Sequence, residues 1–239
     1  MDKYTAPRNI VQQTTSGVDD IPTADDQIKN IESWYEKNKK MILNGLIAVA
    51  AIVGGYIAYN NFYKGPKQQN ANEAIYRAQI YFGMDSLNWA LNGQGADLGF
   101  LKIIDKYGST DAGNLAQYYA GVSYLKLGNA AKAIEHLKNF NGKGTLVETV
   151  AKGSLGDAYA EQNKMSEAAS AYIDAASDDK NLLFSPLYLE RAAIAYQNLK
   201  KNDDAIKAFK RIKNDFPQSP QARNVEKYLA RLGVYSLED

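Results

Sequence analysis

Cysteine is absent from the 239 residues, and histidine occurs once. Without cysteine there is no disulfide framework, thiolate zinc site, iron–sulfur cluster or cysteine nucleophile. A single histidine cannot build a histidine-rich metal site, and His136 beside Glu135 reads as an exposed helix residue. Charge of one sign is lacking too. The 28 Lys and Arg against 27 Asp and Glu leave +1, no bulk electrostatic case for nucleic-acid binding. No D-x-D-x-D-G run offers a calcium loop, and neither GNLAQYY nor LNGQGADLG carries the GK[ST] of a phosphate loop. Ser123 and Ser154 have no His or Lys base in register. The sequence therefore asks for no catalysis, cofactor or metal. Mean hydropathy is −0.43, a soluble-looking value. It averages over very uneven stretches.

The chain divides into four parts. Residues 1–23 are small and polar, with two Pro and no apolar period, and read as a disordered tail. Residues 24–40 place Ile28, Ile31, Trp34 and Tyr35 at three- and four-residue spacing, an amphipathic helix. Residues 41–63, MILNGLIAVAAIVGGYIAYNNFY, contain no charge. About 20 apolar residues cross a hydrocarbon core of about 30 Å. Trp34 and Tyr35 on one flank, and Tyr56, Tyr59, Phe62 and Tyr63 on the other, suit the two interfaces. A buried core helix would rarely stay uncharged this long. A cleaved signal peptide has a shorter apolar run and fewer preceding residues. The segment reads as a retained transmembrane anchor. Lys37, Lys39 and Lys40 before it outweigh Lys64 and Lys67 after it, so the N-terminus is expected in the cytoplasm and the rest outside. Ala50, Gly54 and Ala58 lie four apart, a small-residue face that lets anchor helices approach closely and allows self-assembly.

Residues 64–239 repeat. A small residue (Gly121, Gly156, Ala193) is followed three later by Tyr (Tyr124, Tyr159, Tyr196), then by Ala (Ala133, Ala168, Ala205) and a large apolar residue (Leu137, Tyr172, Phe209). The steps are 35 and 37 residues. A period near 34 with helix–turn–helix patterning marks a tetratricopeptide array. The small residue and the Ala belong where two helices cross, and the Tyr and the large residue fill the space between hairpins. A less regular unit precedes these: one helix over about Pro66–Leu91, a break at Asn92–Gly95, and a second helix around Phe100, Ile103 and Tyr107. A closing helix over Gln218–Leu232 keeps Arg223, Lys227 and Arg231 on one side. The expected fold is all-α: about four helical hairpins plus a closing helix, an α-solenoid behind a single transmembrane helix.

The order of parts, with WYEKNKK at Trp34–Lys40 directly before the hydrophobic span, resembles the YfgM-like proteins, ancillary subunits of the bacterial Sec translocon. The segment Asp85–Gly121 looks like the versions found in Bacteroidetes. The resemblance implies a bacterial inner-membrane, single-pass protein with a periplasmic repeat domain. It further implies contact with translocon subunits, secretory clients or periplasmic chaperones. A scaffold for cell-wall or outer-membrane assembly, with one stable partner, is the alternative.

Alignment to the repeat family puts the binding groove on Leu115, Tyr118, Val122 and Leu125 in one unit. The next supplies Val150, Gly153, Asp157 and Glu161, and the third Leu187, Glu190, Ile194 and Gln197. This set lacks the cations of a carboxylate clamp. A mixed apolar and acidic groove suits extended or helical peptide segments better.

Overall fold

The structure is a computed structural model that describes residues 24–142, 144–178 and 180–235. The tail expected over residues 1–23 lies outside them. The chain divides into two compact units, Met1–Phe62 and Tyr63–Asp239.

In the first unit α1 runs unbroken over Ala24–Tyr59. None of its described residues is buried, and Leu46, Ile47, Val49, Ile52 and Val53 are all exposed. The apolar stretch has a mean hydropathy of 2.1 in its best window, none of which is covered by protein. A π-helical turn, Asn60–Lys64, follows.

The second unit is a stack of helices. Pro66 sits in the first turn of α2 (Gly65–Gly83), where its missing N–H costs nothing. The single helix expected over Pro66–Leu91 is broken. Asp85 turns left-handed at φ +56°, and the Met84 and Ser86 amides close back on the carbonyls of Ile80 and Tyr81 at 3.0 and 2.9 Å. The chain restarts as α3 (Leu87–Asn92). The expected break at Asn92–Gly95 is more than a loop: β1 (Gly93–Gln94) and β2 (Asp97–Leu98) pair antiparallel. Gly93 has φ +84°, and a Cβ there would lie 2.2 Å from the Asp97 carbonyl oxygen, so only glycine fits. Asp97 then accepts hydrogen bonds from Tyr81 Oη (2.9 Å) and Arg77 (3.2 Å), which tie this small hairpin to α2. The following α4 (Phe100–Tyr107) buries Phe100, Ile103 and Tyr107.

Three regular hairpins follow. They are α5 (Asp111–Lys126) with α6 (Ala130–Asn139), α7 (Leu146–Glu161) with α8 (Met165–Ala175), and α9 (Phe184–Asn198) with α10 (Asn202–Asp215). Thr110 caps α5, its Oγ1 accepting from the Gly113 amide at 3.0 Å; Asn129 caps α6 by accepting from Lys132 at 3.2 Å. Each hairpin turn holds one left-handed residue at the same place in the repeat: Gly128, Asn163 and Lys200. The repeat period is therefore a backbone period as well as a side-chain one. Finally α11 (Ala222–Arg231) buries Val225 and Leu229 and exposes Arg223, Lys227 and Arg231. It is shorter than the closing helix read from the sequence.

The small-against-large rule of the repeat is visible atom by atom. A Cβ added to Gly121 would meet Leu137 Cγ at 2.6 Å, and one added to Gly156 would meet Tyr172 Cδ1 at 2.5 Å. Each of these two large residues thus lies in the notch left by its partner glycine, which lets the two helices approach. It also reaches the next hairpin. Leu137 clusters with Ala151 and Ala158, Tyr172 stacks on Tyr188 with centroids 6.4 Å apart, and Phe209 stacks on Tyr228 at 4.9 Å. Alanine dominates the rest of the core, with Ala116, Ala120, Ala133, Ala158, Ala168, Ala192, Ala193 and Ala205 fully covered.

Candidate protein-binding groove

The first helices of successive hairpins, α5, α7 and α9, touch one another along the array. This is the surface that carries the positions assigned to the groove. On α5 those positions serve the interior as much as a ligand. Leu115 packs against the core formed by α2 to α5, while Tyr118, Val122 and Leu125 pack around Leu137 and Ala151. The Tyr118 ring meets Tyr119 edge-on at 5.2 Å and Phe140 at 5.7 Å. Burial pushes its hydroxyl above the usual tyrosine range.

Two of the α7 positions meet residues of α8 and α9. Gly153 is buried under the Tyr188 ring, and a Cβ there would lie 2.0 Å from Tyr188 Cζ. Asp157 is not a bare groove acid. It accepts a hydrogen bond from Tyr172 Oη at 2.7 Å and one from the Arg191 guanidinium, so α7, α8 and α9 converge on one carboxylate. Arg191 also lies over the Tyr188 ring, 5.8 Å from its centroid. Burial, then the hydrogen bond to Asp157, pushes the Tyr172 hydroxyl well up. Burial raises Tyr188 to about 12, opposed by the Arg191 charge. Both phenols therefore stay protonated at neutral pH, Tyr172 as a donor to Asp157. Glu190 beside this cluster is half-buried, and burial raises its carboxyl. Val150, Leu187 and Gln197 are half-buried as well. Glu161 and Ile194 are exposed, Ile194 with 42% of its surface open.

Of the α7 positions, Gly153 and Asp157 are thus tied to α8 and α9, through three residues the alignment does not supply: Tyr172, Tyr188 and Arg191. Tyr172 carries the repeat signal only as a large packing residue, and its hydroxyl adds a second role. For Arg191 the sequence holds no signal beyond its place next to Glu190. The nearby Arg191 is engaged by Asp157. A shallow hollow of about 180 Å³ between α8, α9 and α10 is lined by Ile173, Leu189, Tyr196, Asp204, Lys207 and Arg211, and none of the groove positions lines it.

Two further positions depart from or extend the sequence reading. His136 is half-buried rather than exposed. It stacks on Tyr124 at 5.5 Å, and its Nδ1 is 2.8 Å from Gln117 Oε1. Its depth follows from Tyr124, which the repeat places in the space between helices, and burial lowers its pKa. Ala50, Gly54 and Ala58 are exposed on α1, and nothing lies within 4 Å of where a Gly54 Cβ would be. Among the described residues no group of three or more His, Asp and Glu gathers to hold a metal.

Comparison with known proteins agrees with this geometry. No curated protein matches the chain. The family model described as a tetratricopeptide repeat-like domain matches residues 32–229, a range that takes in the apolar stretch of α1 as well as the stacked hairpins. Such domains are typically non-catalytic modules for binding other proteins. With the 35- and 37-residue steps, the glycine notches and the recurring left-handed turns all in one register, the chain belongs to the tetratricopeptide repeat-like family.

Proposed function

We propose that the chain is a single-pass inner-membrane protein whose anchor holds a periplasmic tetratricopeptide array beside the secretion channel. There the array binds translocon subunits, exported clients or their chaperones. The observation that carries this reading is the order of the parts. A stretch of α1 long and apolar enough to cross a membrane, with none of it buried, precedes the array, and one family match takes in both. Apolar surface open on every side of a helix calls for a solvent other than water, and lipid is that solvent. The Lys37, Lys39 and Lys40 cluster before the stretch supports a cytoplasmic N-terminus. The WYEKNKK run before the anchor, with its resemblance to the YfgM-like proteins, supports a place at the translocon.

The groove positions Leu115, Tyr118, Val122, Leu125, Asp157, Glu161, Glu190, Ile194 and Gln197 form the binding face in this reading. With Asp157 neutralised internally, Ile194 and Glu161 are the side chains best exposed to a ligand. Tethering raises local concentration, so modest affinity suffices. A photo-reactive residue at Ile194 or Glu161 in intact cells should crosslink to a translocon subunit or to exported proteins. Capture of one stoichiometric envelope-assembly protein, and nothing from the secretion route, would overturn the reading in favour of a scaffold.

A further inference from the structure

We infer that α1 pairs with α1 of a second copy of this chain, in parallel, through a seam that begins ahead of the membrane stretch. The seam is Ile28, Ile31, Tyr35, Asn38, Ile42 and Gly45, spaced alternately three and four residues apart. An isolated helix turns every 3.6 residues, so a strict 3.5-residue repeat drifts off its face unless two helices wind around each other. Over Met41–Tyr63 nearly every residue is apolar, so the register is read where it carries information, in the charged segment before it. There Ile28, Ile31 and Tyr35 are 53%, 67% and 52% exposed. Trp34, 61% exposed, flanks the seam next to Tyr35, and Lys29, Glu32, Ser33, Glu36, Lys37 and Lys40 occupy the other faces.

Three observations choose the occupant. First, α1 is unbroken from Ala24 to Tyr59. Ile28 precedes Met41 by 13 residues, which at about 1.5 Å each is a rise of about 20 Å. An unbroken helix that crosses the membrane therefore carries Ile28 and Ile31 beyond the headgroups, where lipid cannot cover them. Second, two copies inserted in one membrane share a direction, which makes the pairing parallel and brings each seam residue to its own counterpart. Third, Asn38 falls on the seam. A single Asn in an apolar seam fixes register, since any slip buries its amide against a side chain that cannot bond it. Its Nδ2 already donates to the Trp34 carbonyl at 2.7 Å, which leaves Oδ1 able to accept across the pair. The seam is distinct from the small-residue face. Ala50, Gly54 and Ala58 fall on the opposite side of the same helix when the register is continued.

The inference rests on the membrane-spanning reading of α1 and not on the translocon reading. The absence of cysteine makes the test free of background. In membranes holding the full chain, single substitutions Ile31→Cys and Tyr35→Cys should each give a disulfide-linked dimer on mild oxidation, and Ser33→Cys and Lys37→Cys should give none. Equal dimer yields at all four positions, dimers through Gly54→Cys alone, or seam crosslinks to a different protein would each overturn it. As a second measurement, the wild-type chain in lipid nanodiscs should have twice the protein mass of Ile31→Glu, and equal masses would refute the seam. Alkaline extraction of the same membranes tests the anchor separately, because a chain that is retained yet gives no seam dimer refutes the pairing alone.

Discussion

Apolar side chains are handled in opposite ways by the two units. In α1 the large ones point outward on every side, and none is buried. In the array the buried apolar positions are mostly alanine, and the large residues Leu137 and Tyr172 lie against glycines. On the proposed reading of α1 as a membrane anchor, the contrast follows from what surrounds each helix. Between helices in water, stability comes from removing apolar area, and close approach over small residues maximises what each large residue covers. A helix surrounded by hydrocarbon gains nothing by hiding leucine and isoleucine, so it leaves them on the outside. Among glycines inside helices, Gly121, Gly153 and Gly156 of the array are notches filled by a neighbour, while Gly54 and also Gly83 open onto space.

The sharpest way to break this comparison is to separate the units. Removing residues 1–62 should move the chain entirely from the membrane to the soluble fraction. The array should keep its helical circular dichroism and a single cooperative melt. Loss of that melt would show that the array leans on α1 for its stability. Next in size, Gly153→Leu forces a side chain into the Tyr188 ring and should cost about 2–3 kcal/mol in urea unfolding of the array. Gly83→Leu, at an array glycine where an added Cβ meets nothing within 4 Å, should leave the same unfolding curve nearly unchanged. Equal effects would remove the distinction between filled and open glycines.

The smallest effect comes from pH. His136 is held below its ordinary pKa of 6.5 by burial, so the folded array disfavours the imidazolium. Glu135 pulls the other way and Lys132 adds to the lowering. Between the lowered folded value and the unfolded value, the unfolded chain binds more protons. The contribution is therefore fully present above about pH 6.5 and is lost as pH falls below it. Denaturant midpoints of wild type and His136→Gln, compared at neutral and mildly acid pH, should show a steeper acid decline in the wild type. Parallel declines would mean that His136 does not feel its burial.

Much of the fold was legible because the repeat is written in residue size. Gly121 with Leu137, and Gly156 with Tyr172, recur at fixed separation because helix geometry fixes which residues of a hairpin meet. The first unit of the array was less legible. Its break at Asp85 depends on a left-handed turn that no local pattern requires, and the strand pair at Gly93–Leu98 depends on Asp97 reaching Arg77 and Tyr81. The sequence offers the candidate groove as a set of positions and not as chemistry. Alignment can say that Asp157 and Glu190 lie on neighbouring first helices. It cannot say that Arg191 and Tyr172 turn onto Asp157.

The sequence by itself determined the division into an apolar helix and a helical array, along with the period of that array. These depend on the order and size of residues along one chain. Only the tertiary structure decided which charges meet. The Asp157–Tyr172–Arg191 cluster joins residues up to 34 apart on three helices, and His136 is sheltered by Tyr124 across a hairpin. Side-chain direction and depth at a helix junction set these contacts. Both arise from packing between helices, which no single stretch of sequence encodes.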